Sequence, residues 1–296
     1  MTTVLPELLA PRRTVGRREF DFSRQVAVMA VVNRTPDSFW DRGATFALDA
    51  AVAAALAAVD DGADWVDVGG VPFSPDTPPV AVAEEIDRVV PIVAELAARS
   101  DVVISVDTAR AEVAAAALEA GASVVNDTNG ARAPAMVELL SEGRAAVVVT
   151  HSVAAPHEHL PRPRYGDVVA EVTGFLRERV DALVAAGVPT ERLFVDPGPD
   201  LNKNTLHTLE LLRRLPEVVA IGLPVLAAVS NKDFVGETLG RRPAERLPGS
   251  LAATTLAVAA GARVVRTHQV APTVDAVRMT EAVLGLRPPA HLRHNM

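Results

Sequence analysis

The alternation of short apolar runs with helical segments predicts an α/β fold, a single-domain (β/α)8 TIM barrel. Each run is mostly β-branched and lacks the polar alternation of a half-exposed strand, as expected of parallel strands that are covered on both faces. The length of 296 residues suits one such barrel, which typically needs about 250 residues. The eight predicted strands are 26–32, 65–68, 102–107, 123–127, 145–150, 193–196, 225–230 and 263–267.

The segments between these runs predict helices. Val52, Leu56 and Val59 follow one another at i, i+4 and i+7, and apolar residues repeat with a similar period over 169–183, which is typical of amphipathic helices. Residues 1–24 are polar and contain several Arg and Pro residues. We therefore expect a flexible N-terminal extension over 1–24, followed by a barrel over 25–296.

Polar residues at the C-terminal ends of the predicted strands favour a closed barrel over a doubly wound open sheet. In a barrel these ends meet at one face, where active sites are built. In an open sheet only the residues beside a switch point could act together. The polar residues are Asn33, Asp67, Asp107, Asn126 with Asp127, His151, Asp196, Ser230 with Lys232, and Arg266 with His268.

Composition excludes several classes of function. The net charge is −8 and no basic block is present, which argues against a nucleic-acid partner. Cys is absent, so thiol catalysis, disulfides and zinc–thiolate sites are excluded. No uncharged apolar stretch approaches the length of about 20 residues that crosses a bilayer, and the N-terminus lacks a signal-peptide pattern. We therefore predict a cytoplasmic protein without a membrane partner.

The polar mouth of the predicted barrel suits a flat, nitrogen-rich heterocycle. Ionised Asp107 and Asp196 accept hydrogen bonds, Asn126 both donates and accepts, and Lys232 contributes three donors and a charge. An amino-pyrimidinone edge needs such a set, because carboxylates can face its N–H groups while an amide and an ammonium face its ring nitrogens and carbonyl.

A second group of residues suits an anion such as diphosphate. Asn33, Arg266 and His268 come from the first and last strands, which are neighbours once the barrel closes, and Arg is the fork-shaped donor that binds phosphate well. Each residue also has a structural interpretation. Asp107 could be a helix N-cap, Lys232 a solvated surface lysine, and His268 a structural histidine.

Seven motifs in order resemble those of the dihydropteroate synthase family. They extend from about residue 26 to residue 284, which is nearly the whole chain. The motifs are VVNRTPDSF at 31–39, DWVDVGG at 64–70, SVDT at 105–108, VND at 125–127, VDPG at 195–198 with KN at 203–204, SNK at 230–232, and RTH at 266–268.

This resemblance implies a reaction. The family is a (β/α)8 barrel, usually a homodimer, which condenses a dihydropterin methyl diphosphate with p-aminobenzoate and releases diphosphate in folate biosynthesis, usually with Mg2+. The small-molecule partners implied for this chain are therefore the pterin diphosphate and an aromatic amine. Our leading hypothesis is a transferase of this type.

The resemblance also implies roles for individual residues. Asp107, Lys232 and Arg266 are the implied catalytic residues. Asn33 is the implied metal ligand and, with His268, a diphosphate-binding residue. The implied substrate-binding set is Asn33, Asp107, Asn126, Asp196, Ser230, Lys232, Arg266 and His268, with Ser230 near the p-aminobenzoate carboxylate.

The chain departs from the family pattern on the amine side and in part of the group that the resemblance assigns to the phosphates. Phe73 and Ser74 replace a Thr and an Arg, and 200–203 reads DLNK where the family has GFGK. Asn231 replaces an Arg and Gln269 an Asp. These departures resemble a divergent second synthase paralogue found in actinobacteria. The alternative hypotheses are therefore a pterin-binding paralogue with little or no synthase activity, or an enzyme that uses a different amine.

Methyltransferase domains that bind methyltetrahydrofolate share the pterin motifs but do not need a diphosphate-binding pair. The presence of both Arg266 and His268 makes that assignment less favoured.

Overall fold

The computed structural model describes residues 7–35, 47–72, 77–154, 158 and 160–294. The chain forms two short N-terminal strands, β1 (Arg12–Val15) and β2 (Arg18–Asp21), and then eight parallel strands. The parallel strands are β3 (Ala27–Asn33), β4 (Trp65–Gly69), β5 (Val103–Asp107), β6 (Val124–Asp127), β7 (Ala146–Thr150), β8 (Leu193–Asp196), β9 (Leu226–Ala227) and β10 (Val264–Thr267). They lie side by side in the order β8-β7-β6-β5-β4-β3-β10-β9, and a bridge between Val195 and Val225 joins the two ends of this sheet. The predicted (β/α)8 barrel is confirmed.

Helices follow the strands and cover the outside of the barrel. They are α1 (Leu48–Asp60), α2 (Val82–Arg99), α3 (Ala111–Glu119), α4 (Pro134–Glu142), α5 (Val168–Ala185), α6 (Thr205–Arg213), α7 (Leu215–Val219), α8 (Asp233–Leu239), α9 (Leu247–Ala259) and α10 (Val270–Val283). Single 3-10 turns occur at Thr190–Arg192 and Pro243–Glu245. In the described ranges, no helix combines the length and the apolar character needed to cross a membrane.

Two apolar cores result from the alternation of side chains along the strands. Outward-facing strand residues pack against the helices in a large outer core, and inward-facing residues fill the lower half of the barrel. The inner core contains Trp65, whose ring lies edge-on to that of Phe194 at a centroid distance of 5.2 Å. Because the lower half is filled with apolar side chains, a ligand has room only at the C-terminal ends of the strands.

The N-terminal residues form a hairpin, contrary to the flexible extension predicted over 1–24. β1 (Arg12–Val15) and β2 (Arg18–Asp21) pair antiparallel, and Phe20 and Phe22 are buried in the inner core of the barrel. The segment is mostly polar and has few apolar residues, so its composition did not indicate that it packs against the barrel. Those residues, however, close the bottom of the barrel, so within the described range the domain begins before residue 25.

Arg13 attaches this hairpin to the barrel. Its guanidinium is buried and donates to the carbonyls of Ala10 at 2.7 Å, Thr190 at 3.1 Å and Leu193 at 2.6 Å. It also lies over the ring of Phe194 at 5.1 Å. Burial lowers the pKa of Arg13 to about 10, although the charge of a nearby glutamate raises it.

We predict that Arg13→Met lowers the free energy of unfolding by about 2–4 kcal/mol, because buried carbonyls lose charged donors. Arg12→Met is the matched control, since the side chain of Arg12 is 86% exposed and pairs only with Asp21 at the surface; a surface pair is worth about 0–1 kcal/mol. Urea unfolding measures both. Equal losses for the two variants would show that the buried bonds do not attach the hairpin.

Candidate active site

The inward-facing residues of the barrel become polar toward the C-terminal ends of the strands. In the strand register, Asp67 lies beside Ser105, and Gly69 lies beside Asp107. Asp107 in turn lies beside Asn126 on the next strand. Since alternate residues of a strand point to the same face, Asp67 and Asp107 both face the barrel axis, at successive levels. The upper half of the barrel is therefore lined with hydrogen-bonding groups.

Arg266 joins three of these groups in one cluster. Its Nε donates to Asp67 Oδ2 at 2.7 Å, and its Nη2 donates to Asp107 Oδ2 at 2.9 Å. Asn126 Nδ2 donates to the same oxygen of Asp67 at 3.0 Å. Burial disfavours the charge of Arg266, but Asp67 and Asp107 outweigh burial and raise the pKa of the guanidinium.

Several buried polar atoms around this cluster have no hydrogen-bond partner within the described residues. They are Asp67 Oδ1, Asn126 Oδ1 and Ser105 Oγ. Buried polar atoms of this kind are uncommon in native proteins, and each calls for a ligand, a water or another explanation. Their position on neighbouring strands points to a polar ligand or ordered water at this level of the barrel.

Asp107 has an unusual protonation equilibrium. The pKa of this carboxyl is raised to about 7, chiefly because burial outweighs the opposing charge of Arg266, and the negative charges of Asp67 and Glu85 contribute to the rise. Asp107 therefore changes charge near neutral pH, as carboxyls do where a site binds or transfers protons.

Asp196 is the last residue of β8, and Lys232 lies in the connection between β9 and α8. Asp196 Oδ1 accepts from the backbone N–H of Gly198 at 2.7 Å. Burial raises the pKa of Asp196, although that bond and the charge of Lys232 oppose the shift. Burial lowers the pKa of Lys232, against the attraction of Asp200 and Asp196. Burial therefore disfavours the charged form of both groups, and the charge of each group favours the charged form of the other.

Asn33 and His268 flank the cluster: Asn33 is the last residue of β3, and His268 directly follows β10. Ser230 Oγ accepts from the backbone N–H of His268 at 3.2 Å and lies 3.3 Å from its Nδ1, so Ser230 orients this histidine. A Cβ atom at Gly69 would lie 2.8 Å from Asn33 Oδ1. Glycine at position 69 therefore leaves the space that the Asn33 amide occupies.

His151 does not join this cluster. Its Nδ1 lies 2.9 Å from Lys203 Nζ, which also donates to the carbonyls of Gly198 and Leu201 at 2.9 Å and 3.0 Å. Burial, and then the charge of Lys203, lower the pKa of His151 to about 3. A neutral imidazole whose Nδ1 accepts from the lysine fits these contacts, so this pair holds the loop after β8 against the end of β7.

The structure thus brings most of the predicted site residues to one face of the barrel. Arg266 bonds Asp107 directly and is linked to Asn126 through Asp67, whose carboxylate both residues share. Asp196 and Lys232 interact with Arg266 through their charges, and Ser230 contacts His268. Residues 36–39, the last part of the first motif, lie outside the described residues. So do the departures Phe73 and Ser74.

Two important residues were not among the predicted site set. Asp67 is completely buried and bonds both Arg266 and Asn126, and Lys203 is the centre of the loop contact described above. The alternation of side chains along β4 could have identified Asp67, because Asp67 lies two residues before Gly69 and therefore on the same inward face. Lys203 stands in the motif at 203–204, but nothing in the sequence links it to His151, which lies 52 positions away.

The barrel is filled by apolar residues below and is lined by a carboxylate–guanidinium–amide cluster above. This arrangement is typical of the (β/α)8 proteins that bind a small polar ligand at the C-terminal face. Residues 29–268 match the model of the pterin binding enzyme family.

Relatives and solved structures agree with this match. The chain is 49% identical over 276 residues to a Mycobacterium leprae protein named inactive dihydropteroate synthase 2, covering 88% of this chain and 92% of that protein. A Xanthomonas albilineans dihydropteroate synthase solved with 4-aminobenzoic acid has a TM-score of 0.85 and 41% identity, covering 92% and 98% of the two chains. A Yersinia pestis dihydropteroate synthase in a sulfonamide complex has a TM-score of 0.88 and 35% identity, covering 93% and 100%. The chain belongs to the pterin-binding, dihydropteroate synthase family.

Proposed function

We propose that this chain binds a dihydropterin diphosphate across the mouth of its barrel. The observation that carries the proposal is the hydrogen-bonded cluster of buried Asp67 and Asn126 with partly buried Arg266 and Asp107, together with the polar atoms beside it that have no partner among the described residues. A polar heterocycle supplies hydrogen bonds to such atoms. A purely structural role explains the cluster less well, because it leaves the buried Asp67 Oδ1, Asn126 Oδ1 and Ser105 Oγ without a hydrogen-bond partner among the described residues.

Within this proposal, the pterin ring lies against the acidic and amide side chains of the cluster. Asp107 and Asp196 accept from the N–H groups of the ring, while Asn126 and Lys232 face its carbonyl and ring nitrogens. Arg266 has five N–H donors, of which two bind Asp67 and Asp107. The carboxylates fix the plane of the guanidinium, so its other donors are oriented before a ligand arrives.

The diphosphate end is proposed to lie against Arg266, His268 and Asn33. Charge develops on the diphosphate oxygens when the bond to the pterin methylene breaks, and donors fixed in that place stabilise the transition state more than the ground state. The Ser230 contact holds His268 in position for this role.

Mg2+ is compatible with these residues only when diphosphate is bound. Among the described residues, no cluster of three or more His, Asp or Glu side chains is placed to hold a metal alone. Mg2+ is, however, commonly bound by one or two protein oxygens together with substrate phosphates. We propose that the Asn33 amide oxygen is the protein ligand, and that the ion neutralises charge on the departing diphosphate.

We propose further that turnover with p-aminobenzoate is weak or absent. The mycobacterial relative at 49% identity carries the name inactive dihydropteroate synthase 2. The departures Leu201, Asn231 and Gln269 alter motifs that the resemblance assigns to the amine and to part of the phosphate-binding group. The second candidate is full dihydropteroate synthase activity. It is favoured by the retention of Asp107, Lys232 and Arg266 at one end of the barrel.

One experiment tests both parts of this proposal. Binding of dihydropterin diphosphate is measured by calorimetry, and diphosphate release is followed with Mg2+, with and without p-aminobenzoate. We expect binding that Lys232→Gln weakens, and little amine-dependent release. Rapid release that requires p-aminobenzoate would establish the synthase candidate instead, and absence of binding would refute the proposal as a whole.

We also propose that the chain forms a homodimer through α9 and α10. Leu256, Met279 and Val283 are between 64% and 73% exposed on these helices, and Met279 and Val283 line a shallow apolar cleft. Neighbouring exposed apolar residues of this kind commonly mark an interface.

We predict that Met279→Asp shifts the protein from dimer to monomer in analytical ultracentrifugation, because a charge placed in an apolar interface must lose its water. Val184→Asp is the matched control, since Val184 is an exposed apolar residue on α5, and it should leave the mass unchanged. A wild-type protein that sediments as a monomer at micromolar concentration would contradict the proposal.

A further inference from the structure

Lys203 is a buried cation that the proposed pterin contacts do not use. It lies in the connection between β8 and α6, and only 6% of the residue is exposed. Lys203 and Lys232 are the only lysines in the sequence, among 29 Lys and Arg residues in total. An ammonium is a compact charge whose three donors leave one nitrogen, whereas a guanidinium is a planar fork. A lysine in so arginine-rich a chain therefore indicates that the compact geometry is needed at this place.

Three acceptors surround the ammonium of Lys203. They are Nδ1 of His151 at 2.9 Å, the carbonyl of Gly198 at 2.9 Å and the carbonyl of Leu201 at 3.0 Å. An ammonium has three N–H donors, so these contacts satisfy all of them and offset the unfavourable burial of the charge. The donors of Lys203 thus serve the protein itself rather than a ligand.

Gly198 connects this ammonium to Asp196. The carbonyl of Gly198 accepts from Lys203, while the N–H of Gly198 donates to Asp196 Oδ1 at 2.7 Å. Within the described ranges, this is the only hydrogen bond of the Asp196 carboxylate. Both groups of Gly198 flank one Cα atom, so a shift of the carbonyl also turns the N–H. The orientation of Asp196 therefore depends on how firmly the backbone at Gly198 is held.

The turn at Gly198 lies directly against the end of β7. Its φ is +64°, and a Cβ atom there would lie 2.2 Å from the carbonyl oxygen of His151, so a glycine is needed for this close approach. The N–H of His151 in turn donates to the backbone carbonyl of Asp196 at 2.9 Å. His151, Asp196, Gly198 and Lys203 are thus joined in a closed ring of hydrogen bonds.

His151 is the fixed point of this ring. Its imidazole lies edge-on to Phe175 of α5, with 5.0 Å between the ring centroids, so packing against the outer layer sets its orientation. The contacts fit a neutral imidazole that accepts from Lys203, as described above. Lys203 is therefore anchored at one side to β7 and at the other to the turn that holds Asp196.

We propose that Lys203 is a positioning residue for Asp196. Held by His151, it fixes the turn at Gly198 and thereby aims the Asp196 carboxylate at the pterin ring. This inference rests on the proposed function, since Asp196 is one of the groups proposed to accept from the pterin. The two lysines of the chain then have different roles, because Lys232 is proposed to face the ligand itself.

A double-mutant cycle tests whether Lys203 acts through Asp196. Affinity for dihydropterin diphosphate is measured by calorimetry, without an amine, for wild type, Lys203→Met, Asp196→Ala and the double variant. Lys203→Met is expected to weaken binding by about tenfold, the lower part of the range for a charge-assisted hydrogen bond. In the Asp196→Ala background the same change should cost less than about twofold, because no carboxylate remains to be aimed.

Arg13→Met is the matched control for a loss of stability. It also removes a buried cation that donates to backbone carbonyls, but at the bottom of the barrel. This variant should lower the free energy of unfolding and leave pterin affinity unchanged.

Two substitutions of His151 test the same ring while Lys203 stays in place, so they serve even if Lys203→Met does not fold. In His151→Asn the amide oxygen can take the place of Nδ1 as acceptor, and pterin affinity should stay near that of wild type. His151→Leu has no acceptor and should weaken pterin binding in the same direction as Lys203→Met.

The outcomes separate this inference from the proposal on which it rests. Pterin binding that Lys203→Met leaves unchanged, or weakens equally with and without the Asp196 carboxylate, would overturn the positioning role alone. An equal loss of affinity in Arg13→Met would also overturn it, because the effect would then follow from stability. Absence of pterin binding in wild type would overturn the proposed function together with the inference.

Discussion

Asp67→Ala is expected to lower the free energy of unfolding by about 3–5 kcal/mol, the loss typical when one partner of a buried ion pair is removed. Asp67 is fully buried, and one of its oxygens accepts from both Arg266 and Asn126. Its removal takes the acceptor from the Nε of the partly buried Arg266 and from the Nδ2 of the buried Asn126. The same change releases the side chain of Arg266, so we expect pterin affinity to fall by at least about tenfold, the equivalent of 1.4 kcal/mol.

Asp67→Asn separates charge from hydrogen bonding. An Asn oxygen can still accept from Arg266 and Asn126, so this variant should lose less stability than the Ala variant. Urea unfolding and pterin calorimetry measure the two effects. If Asp67→Ala unfolds at the wild-type urea concentration, then Asp67 does not organise the cluster, and Asp107 must hold Arg266 by itself.

Asp107→Asn is expected to weaken pterin binding by about 10–100-fold above pH 8, because a charge-assisted hydrogen bond is worth about 1.5–3 kcal/mol. In wild type, pterin affinity should rise as pH increases through about 7, the pKa to which burial raises this carboxyl. The reason is that only the ionised form accepts from both the pterin and Arg266. The variant should bind weakly at every pH and show no such rise.

The free protein should show the opposite dependence in its stability. The folded state holds the Asp107 proton more tightly than the unfolded chain does, because its pKa is about 7 when folded and about 3.9 when unfolded. This contribution to stability is fully present below about pH 4 and is lost as pH rises to about 7. Asp107→Asn should remove this part of the pH profile of unfolding.

Asp101→Asn is the matched control for both measurements. Asp101 lies just before β5, at the opposite end from Asp107, and its side chain is 84% exposed. It should leave the pH profiles of binding and unfolding unchanged. If Asp107→Asn keeps the wild-type rise in affinity near pH 7, another group in the cluster carries that proton.

Strand positions could be predicted closely because parallel strands in a barrel are short apolar runs. The predicted run 193–196 coincides with β8, five others differ from the structure by one residue at one end, and the run 26–32 is shifted by one residue from β3. The exception is 225–230, of which only Leu226–Ala227 is strand. Asn231 has a φ of +56°, and its N–H donates to Ser250 Oγ rather than to a neighbouring strand. Apolar composition alone does not reveal such a turn.

The hairpin over 12–21 could not be predicted for a related reason. Its apolar residues are few, and burial of Phe20 depends on Trp65, whose ring lies 6.0 Å away edge-on. Sequence patterns report local period and composition, whereas this contact joins residues 45 positions apart. The same limit applies to the contact between Lys203 and His151, because these residues lie 52 positions apart.

The sequence by itself determined the class of fold, the face of the barrel that carries the site, and the polar residues at the strand ends, because strand period and chain order alone set which residues reach that face. Tertiary structure decided which of them touch. Arg266 is 199 positions from Asp67 and 159 from Asp107, and only barrel closure brings β10 against β3 and places all three together. Burial then sets their charges, since desolvation raises the pKa of Asp107 to about 7, and desolvation is a property of the packed protein rather than of the residue.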